Sequence, residues 1–218
     1  MGWLTAVDGY CERLGPGYWA EPANALTNLA FLVAAAVMWA RSAGLPLARG
    51  MVAILAVIGI GSYLFHTHAN RLTGVMDVAP IAGFILLYIF AASRDLLGIN
   101  AWQSVLCVLA FVPYAALTVP LWAMVPGLGS SAGYAPVPVL ILLHAGLLWR
   151  SARGTARALA VGAGLLVLSL AFRTLDGPLC TANPLGLHFV WHLLNAVMLG
   201  WMIEVYRRHM LAKASSAR

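Results

Sequence analysis

The sequence predicts an all-α polytopic membrane protein with seven transmembrane helices. Apolar residues make up 62% of its 218 residues, whereas a soluble domain has about 45–50% on a similar count. Charged residues make up 9%, against about 25% in soluble proteins, so they are too few to cover a water-exposed surface. The mean hydropathy of +0.86 agrees with this interpretation.

Charged, Gly-rich and Pro-rich stretches divide the chain into seven apolar runs. The runs are continuous rather than alternating, which argues against a transmembrane β-barrel. Acidic residues precede the first run, so we expect no cleavable signal peptide. The expected spans are 25–41, 49–68, 75–93, 101–122, 136–150, 156–173 and 186–206. In the same order, they are preceded by the acidic segment to Glu21, Gly44 and Pro46, Arg71, Gly98, the uncharged Gly-, Ser- and Pro-rich loop 126–138, Arg150 to Gly154, and Pro178 and Pro184.

Basic residues fall unevenly on the two sides of such a bundle. Three lie on one side, at Arg13, Arg71 and Arg173. By the positive-inside rule, we expect residues 1–24 to be an extracytoplasmic segment, 25–210 the seven-helix domain and 211–218 a cytoplasmic tail, in a bacterial inner membrane. Six or eight spans would blur this asymmetry. The other ten basic residues lie on the opposite side: Arg41, Arg49, Arg94, Arg150, Arg153, Arg157, Arg207, Arg208, Lys213 and Arg218.

Three histidines in the spans are candidate metal ligands, because ionisable groups inside a membrane are costly. His188 and His192 are four residues apart, so they project from one helix face about one turn apart. With His66 they would leave one open position on a tetrahedral Zn²⁺, as in catalytic zinc sites. Alternatively, each is a hydrogen-bonded core residue.

Ser62 and Asp77 are the candidate catalytic residues. Ser62 precedes His66 by four residues and therefore lies on the same face, one turn deeper. Asp77, across the next loop, could act as a general base toward water at the zinc. Taken alone, Ser62 could be a small residue at a helix contact, and Asp77 an anion near a helix N-terminus.

These residues resemble the signature of the alkaline ceramidases, a family within the seven-helix hydrolase superfamily that includes the adiponectin receptors. The matching segments are Ser62-Tyr63-Leu64-Phe65-His66, Asp77, His188-Phe189-Val190-Trp191-His192, Cys11-Glu12, Glu21-Pro22-Ala23-Asn24 and Asp176-Gly177-Pro178-Leu179-Cys180. The resemblance implies that the three histidines hold zinc, that Asp77 activates water and that Ser62 stabilises the oxyanion. It also implies hydrolysis of a ceramide amide to a sphingoid base and a fatty acid.

The N-terminal acids suggest a second metal ion. Asp8, Glu12 and Glu21 supply hard oxygen ligands of the kind that Ca²⁺ prefers, and the resemblance implies calcium in this segment. Leu14 stands where the family has a liganding Asn. The alternative is a solvated acidic segment.

Two of the three cysteines, Cys11 and Cys180, fall on the extracytoplasmic side. An oxidising compartment permits a disulfide, which would tie the N-terminal segment to the loop before the last span.

The sequence therefore predicts a zinc-dependent membrane amidase whose partner is a membrane lipid substrate, with no nucleic acid and no obligate protein partner. One alternative is a seven-helix receptor or sensor with a structural zinc. Another is a metal or proton transporter, which should place polar groups near the middle of the membrane.

Overall fold

The computed structural model describes residues 2–216 and is an all-α bundle in that part of the chain. Seven helices are long and apolar enough to cross a membrane, which confirms the expected number and the integral membrane class. β-Type pairing of the backbone is limited in that part of the chain to one isolated bridge between Ala6 and Asn70. The helices are α1 (Pro22–Thr27), α2 (Leu29–Arg41), α3 (Pro46–His68), α4 (Arg71–Ala91), α5 (Ala101–Ala123), α6 (Pro136–Leu148), α7 (Arg153–Leu175) and α8 (His188–Ser216).

Several spans extend beyond the limits expected from the sequence. The first is built from α1 and α2, the third ends in a π-helical turn at Ala92–Leu96, and the fifth begins with a 3₁₀ turn at Gly129–Gly133. The helix α8 continues to Ser216, so the part of the expected tail 211–218 that is described is helical. Its remaining residues, 217–218 with Arg218, lie outside the described part of the chain.

Local sequence signals explain where the spans begin. Pro22, Pro46 and Pro136 stand in the first turn of their helices, where the missing N–H has no intrahelical partner to lose. Asn70 caps α4, since its side chain accepts a hydrogen bond from the Thr73 amide at 3.0 Å. The Thr73 hydroxyl accepts one from the Asn70 amide at 3.1 Å, which completes a capping box.

The N-terminal segment is folded onto the tight turn between α3 and α4. The Val7 amide donates to the Ala69 carbonyl at 2.8 Å, and the Arg71 amide donates to the Thr5 carbonyl at 3.1 Å. Ala69 has a φ of 40°, a left-handed conformation that ends α3. We call this end of the bundle the histidine end, because His66 and His188 lie there.

The last span is the centre of the bundle and the fourth is its edge. In an 18-residue window, 67% of α8 is buried, against 6% of α5. Leu109, Val112 and Leu117 of α5 are more than half exposed, as suits a surface that meets lipid chains. The central position of α8 holds its two histidines against α1 and α3.

Candidate metal centre and active site

The three predicted histidines meet at the histidine end. His66 is in the last turn of α3, and His188 and His192 are in the first turns of α8. One ring nitrogen from each lies within 4.8 Å of the others, and all three residues are at most 2% exposed. No other group of three or more His, Cys, Asp or Glu residues within 2–216 is placed to hold a metal ion.

The hydrogen bonds of these rings fit a metal centre. The Nδ1 of His66 donates to the Glu21 carboxylate at 2.6 Å, and its Nε2 is buried without a partner. The Thr27 hydroxyl donates to the Ala23 carbonyl at 2.7 Å, so it accepts from Nδ1 of His192 at 3.0 Å. The Nε2 of His192 is likewise buried without a partner.

Unpartnered buried nitrogens are costly, and outer hydrogen bonds of this type fix metal-binding imidazoles. His188 also has an unpartnered buried nitrogen, Nδ1. Its ring stacks on Tyr10, with the ring centroids 3.8 Å apart. A donor set of three imidazoles suits Zn²⁺.

Glu21 is the centre of a buried network that the sequence analysis did not find. Besides His66, its carboxylate accepts hydrogen bonds from Arg13 and from the side-chain amide of Asn24. Burial raises the pKa of Glu21, but its hydrogen bonds with His66 and Arg13 outweigh burial and leave the pKa below its ordinary value. Glu21 is therefore an ionised partner of His66.

The three acids expected to bind calcium do not form a common site. Asp8 is exposed. Both carboxylate oxygens of Glu12 accept backbone N–H groups at the start of α1, from Ala23 at 2.6 Å and Asn24 at 2.8 Å. The carboxylate of Glu21 is occupied by side chains, as described above. The carboxylates of Glu12 and Glu21 are engaged by these partners and Asp8 does not join them in one group, so we do not propose a calcium site.

The positive charge next to Glu21 in this segment comes from the guanidinium of Arg13. Arg13 pairs with Glu21 and donates to the Gly15 carbonyl at 3.0 Å. It also donates to the backbone carbonyl of His66 at 2.9 Å. Arg13 therefore links the N-terminal segment directly to the end of α3 that bears a predicted metal ligand.

Ser62 and Asp77 face each other where α3 crosses α4. The Ser62 hydroxyl lies within hydrogen-bonding reach of the Asp77 carboxylate, which also lies in the field of His66. The preceding residue, Gly61, makes this approach feasible, because a Cβ there would overlap the Met76 carbonyl group. The predicted catalytic pair is thus adjacent to one of the three histidines.

Cys11 and Cys180 form a disulfide with a Cα–Cα distance of 5.4 Å. Asp176 also links the N-terminal segment to the start of α8, a role that the sequence analysis did not assign. Its carboxylate accepts hydrogen bonds from the amides of Leu187 at 2.7 Å, His188 at 3.0 Å and Cys11 at 3.0 Å. Asp176 therefore fixes the start of α8 and the N-terminal segment together.

An apolar cavity of about 60 Å³ lies inside the bundle. Its lining includes Trp191, which stands between the two histidines of α8 in sequence, and Asn195, Met198 and Met202 further along the same helix. The other lining residues are Leu199 of α8, the adjoining residues Ala92 and Tyr134, and residues of α4, α6 and α7: Ile81, Phe84, Ile85, Tyr88, Ile89, Val137, Leu140, Ile141, His144, Leu159 and Leu166.

Comparison with known proteins assigns no family to this chain. Its sequence matches no protein-family model and no curated protein. The interpretation of the site therefore rests on its own geometry and on the motifs quoted above.

Proposed function

We propose that the protein is a zinc-dependent integral membrane hydrolase that cleaves the N-acyl bond of a lipid amide. The observation that carries this proposal is the Ser62–Asp77 pair beside three imidazoles with unpartnered buried nitrogens, with an apolar cavity that Trp191 of α8 lines. A structural metal clamp would need neither a paired carboxylate nor a cavity.

In this proposal His66, His188 and His192 hold the zinc ion. Bound zinc would act as a Lewis acid and lower the pKa of water. Glu21 and Thr27 keep the outer nitrogens of His66 and His192 protonated, which leaves the inner lone pairs for the metal. The protein supplies this set already oriented, because Asp176 and Arg13 fix the two helix ends that carry it.

Asp77 is the general base. Its carboxylate takes a proton from the attacking water, whose oxygen forms a bond to the amide carbon. The same proton is then delivered to the leaving nitrogen as the C–N bond breaks, giving a fatty acid and an amine. The Ser62 hydroxyl orients Asp77 in the resting site and can donate to the carbonyl oxygen as charge develops there.

The acyl chain would occupy the cavity below Trp191. With a free volume of about 60 Å³, the cavity admits a long chain only if its lining side chains move. Met198 and Met202 are unbranched and adapt readily to a new shape. We place the centre at the extracytoplasmic side, because the basic residues predict that orientation, and ceramide is the substrate suggested by the motifs.

The test is release of free fatty acid from ceramide and other N-acyl lipids by the purified, zinc-loaded protein. We expect Asp77→Asn to lose at least about a hundredfold in rate while it retains its zinc. Gln103→Leu, an exposed change on α5, is the control. Equal rates in Asp77→Asn and the wild type would refute the proposed base, and no hydrolysis of any lipid amide would refute the proposed function.

A further inference from the structure

Arg173 lies beside the candidate centre and has no role in the scheme above. It is in the last turn of α7, with its guanidinium carbon 5.3 Å from the ring centroid of Tyr134 and 5.7 Å from that of Trp191. Both rings line the apolar cavity, and Trp191 stands between His188 and His192 in sequence. The guanidinium is therefore next to two of the side chains that line the cavity.

Arg173 has no salt-bridge partner in the described part of the chain, although Asp77 lies within its field. In contrast, Arg13 at the same end is paired with Glu21. The Nη1 of Arg173 donates to the Ser130 hydroxyl at 2.6 Å and lies 3.4 Å from that of Ser131. A guanidinium has five N–H donors, so these contacts leave donors for a ligand.

The field of Arg173 reaches the centre itself. It acts on Asp77, His188 and His192. It also hydrogen-bonds Tyr10: burial raises the pKa of this phenol, and the contact with Arg173 lowers it. A guanidinium beside a metal centre opposes metal binding, and an anionic ligand at the same place would offset this repulsion.

We propose that Arg173 binds an anionic oxygen group in the head of the lipid, so the preferred substrates are lipid amides that carry a carboxylate or phosphate near the amide. This inference rests on the proposed function. With the amide at the histidines and the acyl chain in the cavity, the head group remains at the histidine end of the bundle, next to Arg173 in the last turn of α7. The planar fork of a guanidinium matches carboxylate and phosphate, and the apolar rings beneath it strengthen the contact.

The two acidic head groups have a neutral counterpart of similar size. N-palmitoylglycine presents a carboxylate, N-palmitoyl-O-phosphoethanolamine presents a phosphate, and N-palmitoylglycinamide presents neither. Ceramide is also neutral, so it should be a poor ligand compared with the first two.

The experiment measures binding rather than turnover, by native mass spectrometry of the zinc-loaded protein in detergent with each of the three lipids. We expect at least one acidic lipid to bind roughly tenfold or more tightly than the neutral amide. Arg173→Gln should abolish this preference, and Arg173→Lys should retain part of it because the charge remains.

Arg153→Gln is the matched control, since Arg153 is at the other end of α7 with its guanidinium carbon 5.7 Å from the ring centroid of Trp149. It should keep the full preference. Equal binding of all three lipids by the wild type, or an unchanged preference in a folded Arg173→Gln or Arg173→Lys variant, would overturn the inference.

Hydrolysis of the same lipids is scored separately, so that the two proposals can fail independently. A preference for acidic lipids without hydrolysis of any amide would refute the hydrolase and leave the head-group site standing. Hydrolysis of amides with no preference in binding would refute the head-group site alone.

Discussion

Glu21 accepts a hydrogen bond from Nδ1 of His66 at 2.6 Å, although 45 residues separate them in the chain. This contact turns the opposite nitrogen of the ring toward the other two histidines. A carboxylate in this position also makes the imidazole a more basic ligand. Through Glu21, the N-terminal segment therefore influences how tightly the site binds its metal ion.

We predict that Glu21→Gln lowers zinc affinity by about 10–100-fold, because the carboxylate that orients His66 is lost. The measurement is a competition titration with a zinc chelator. Glu204→Gln is the matched control, since Glu204 is a largely buried acid bonded to three arginines at the far end of α8. The same affinity in Glu21→Gln as in the wild type would contradict this assignment.

We predict that stability is independent of calcium. Arg13 already provides the positive charge next to Glu21, and Glu12 caps the start of α1. Thermal unfolding should therefore be the same in excess calcium and in a calcium-selective chelator, with zinc kept constant. A midpoint that rises with calcium would restore the site expected from the acidic residues.

Replacement of Arg13 should lower the stability of the protein much more than removal of calcium from the buffer. Arg13→Met leaves Glu21 without its cation in a buried position, for which the cost is about 3–5 kcal/mol. Arg157→Met, at the other end of the bundle, is the control and should change stability little. Unfolding of Arg13→Met at the wild-type midpoint would show that this ion pair is not needed.

The sequence was sufficient to predict the seven-helix fold and the three histidines that the structure brings together. Continuous apolar runs fix the seven spans, because a segment that crosses a membrane must satisfy its own backbone hydrogen bonds. The spacing of His188 and His192 places them on one helix face, and the structure brings the predicted third ligand, His66 of α3, close to them.

The residues around this core could not be predicted in the same way. Arg13, Asp176 and Arg173 reach the site through loop conformations and helix crossings, which leave no periodic signal in the sequence. The expected calcium site has the same origin: composition identifies an acidic segment, but it does not say whether each carboxylate faces a metal ion, a backbone amide or an arginine. The partners that Glu12 and Glu21 find in the folded chain decide which of these each carboxylate faces.

We predict that Gly61→Ala destabilises the protein by about 1–3 kcal/mol, the usual cost of overpacking. An added Cβ would overlap the Met76 carbonyl carbon, which is 2.8 Å from its ideal position, and would push Ser62 away from Asp77. Gly164→Ala on α7 is the control, because nothing lies within 4 Å of its Cβ position. The check is thermal unfolding together with the rate of amide hydrolysis. An equal loss of stability in Gly61→Ala and Gly164→Ala would show that α3 and α4 are not closely packed at Gly61.

We predict that Cys11→Ser costs about 2–5 kcal/mol, because the disulfide closes a long loop in the unfolded chain. Cys180→Ser should have the same effect, and the double variant should cost no more than either single one. Cys107→Ser provides the control, since Cys107 is a free thiol. Non-reducing mass mapping of protein from an oxidising compartment should recover the Cys11–Cys180 peptide; two free thiols there would contradict the pairing.

The most direct test of the account is elemental analysis of the purified protein and its His66→Ala variant. We predict about one zinc per wild-type chain, as in other sites with three histidine ligands, and almost none in the folded variant. A wild-type protein without bound transition metal after incubation with zinc, or a variant that retains the same amount, would contradict the claim that His66, His188 and His192 form one metal centre.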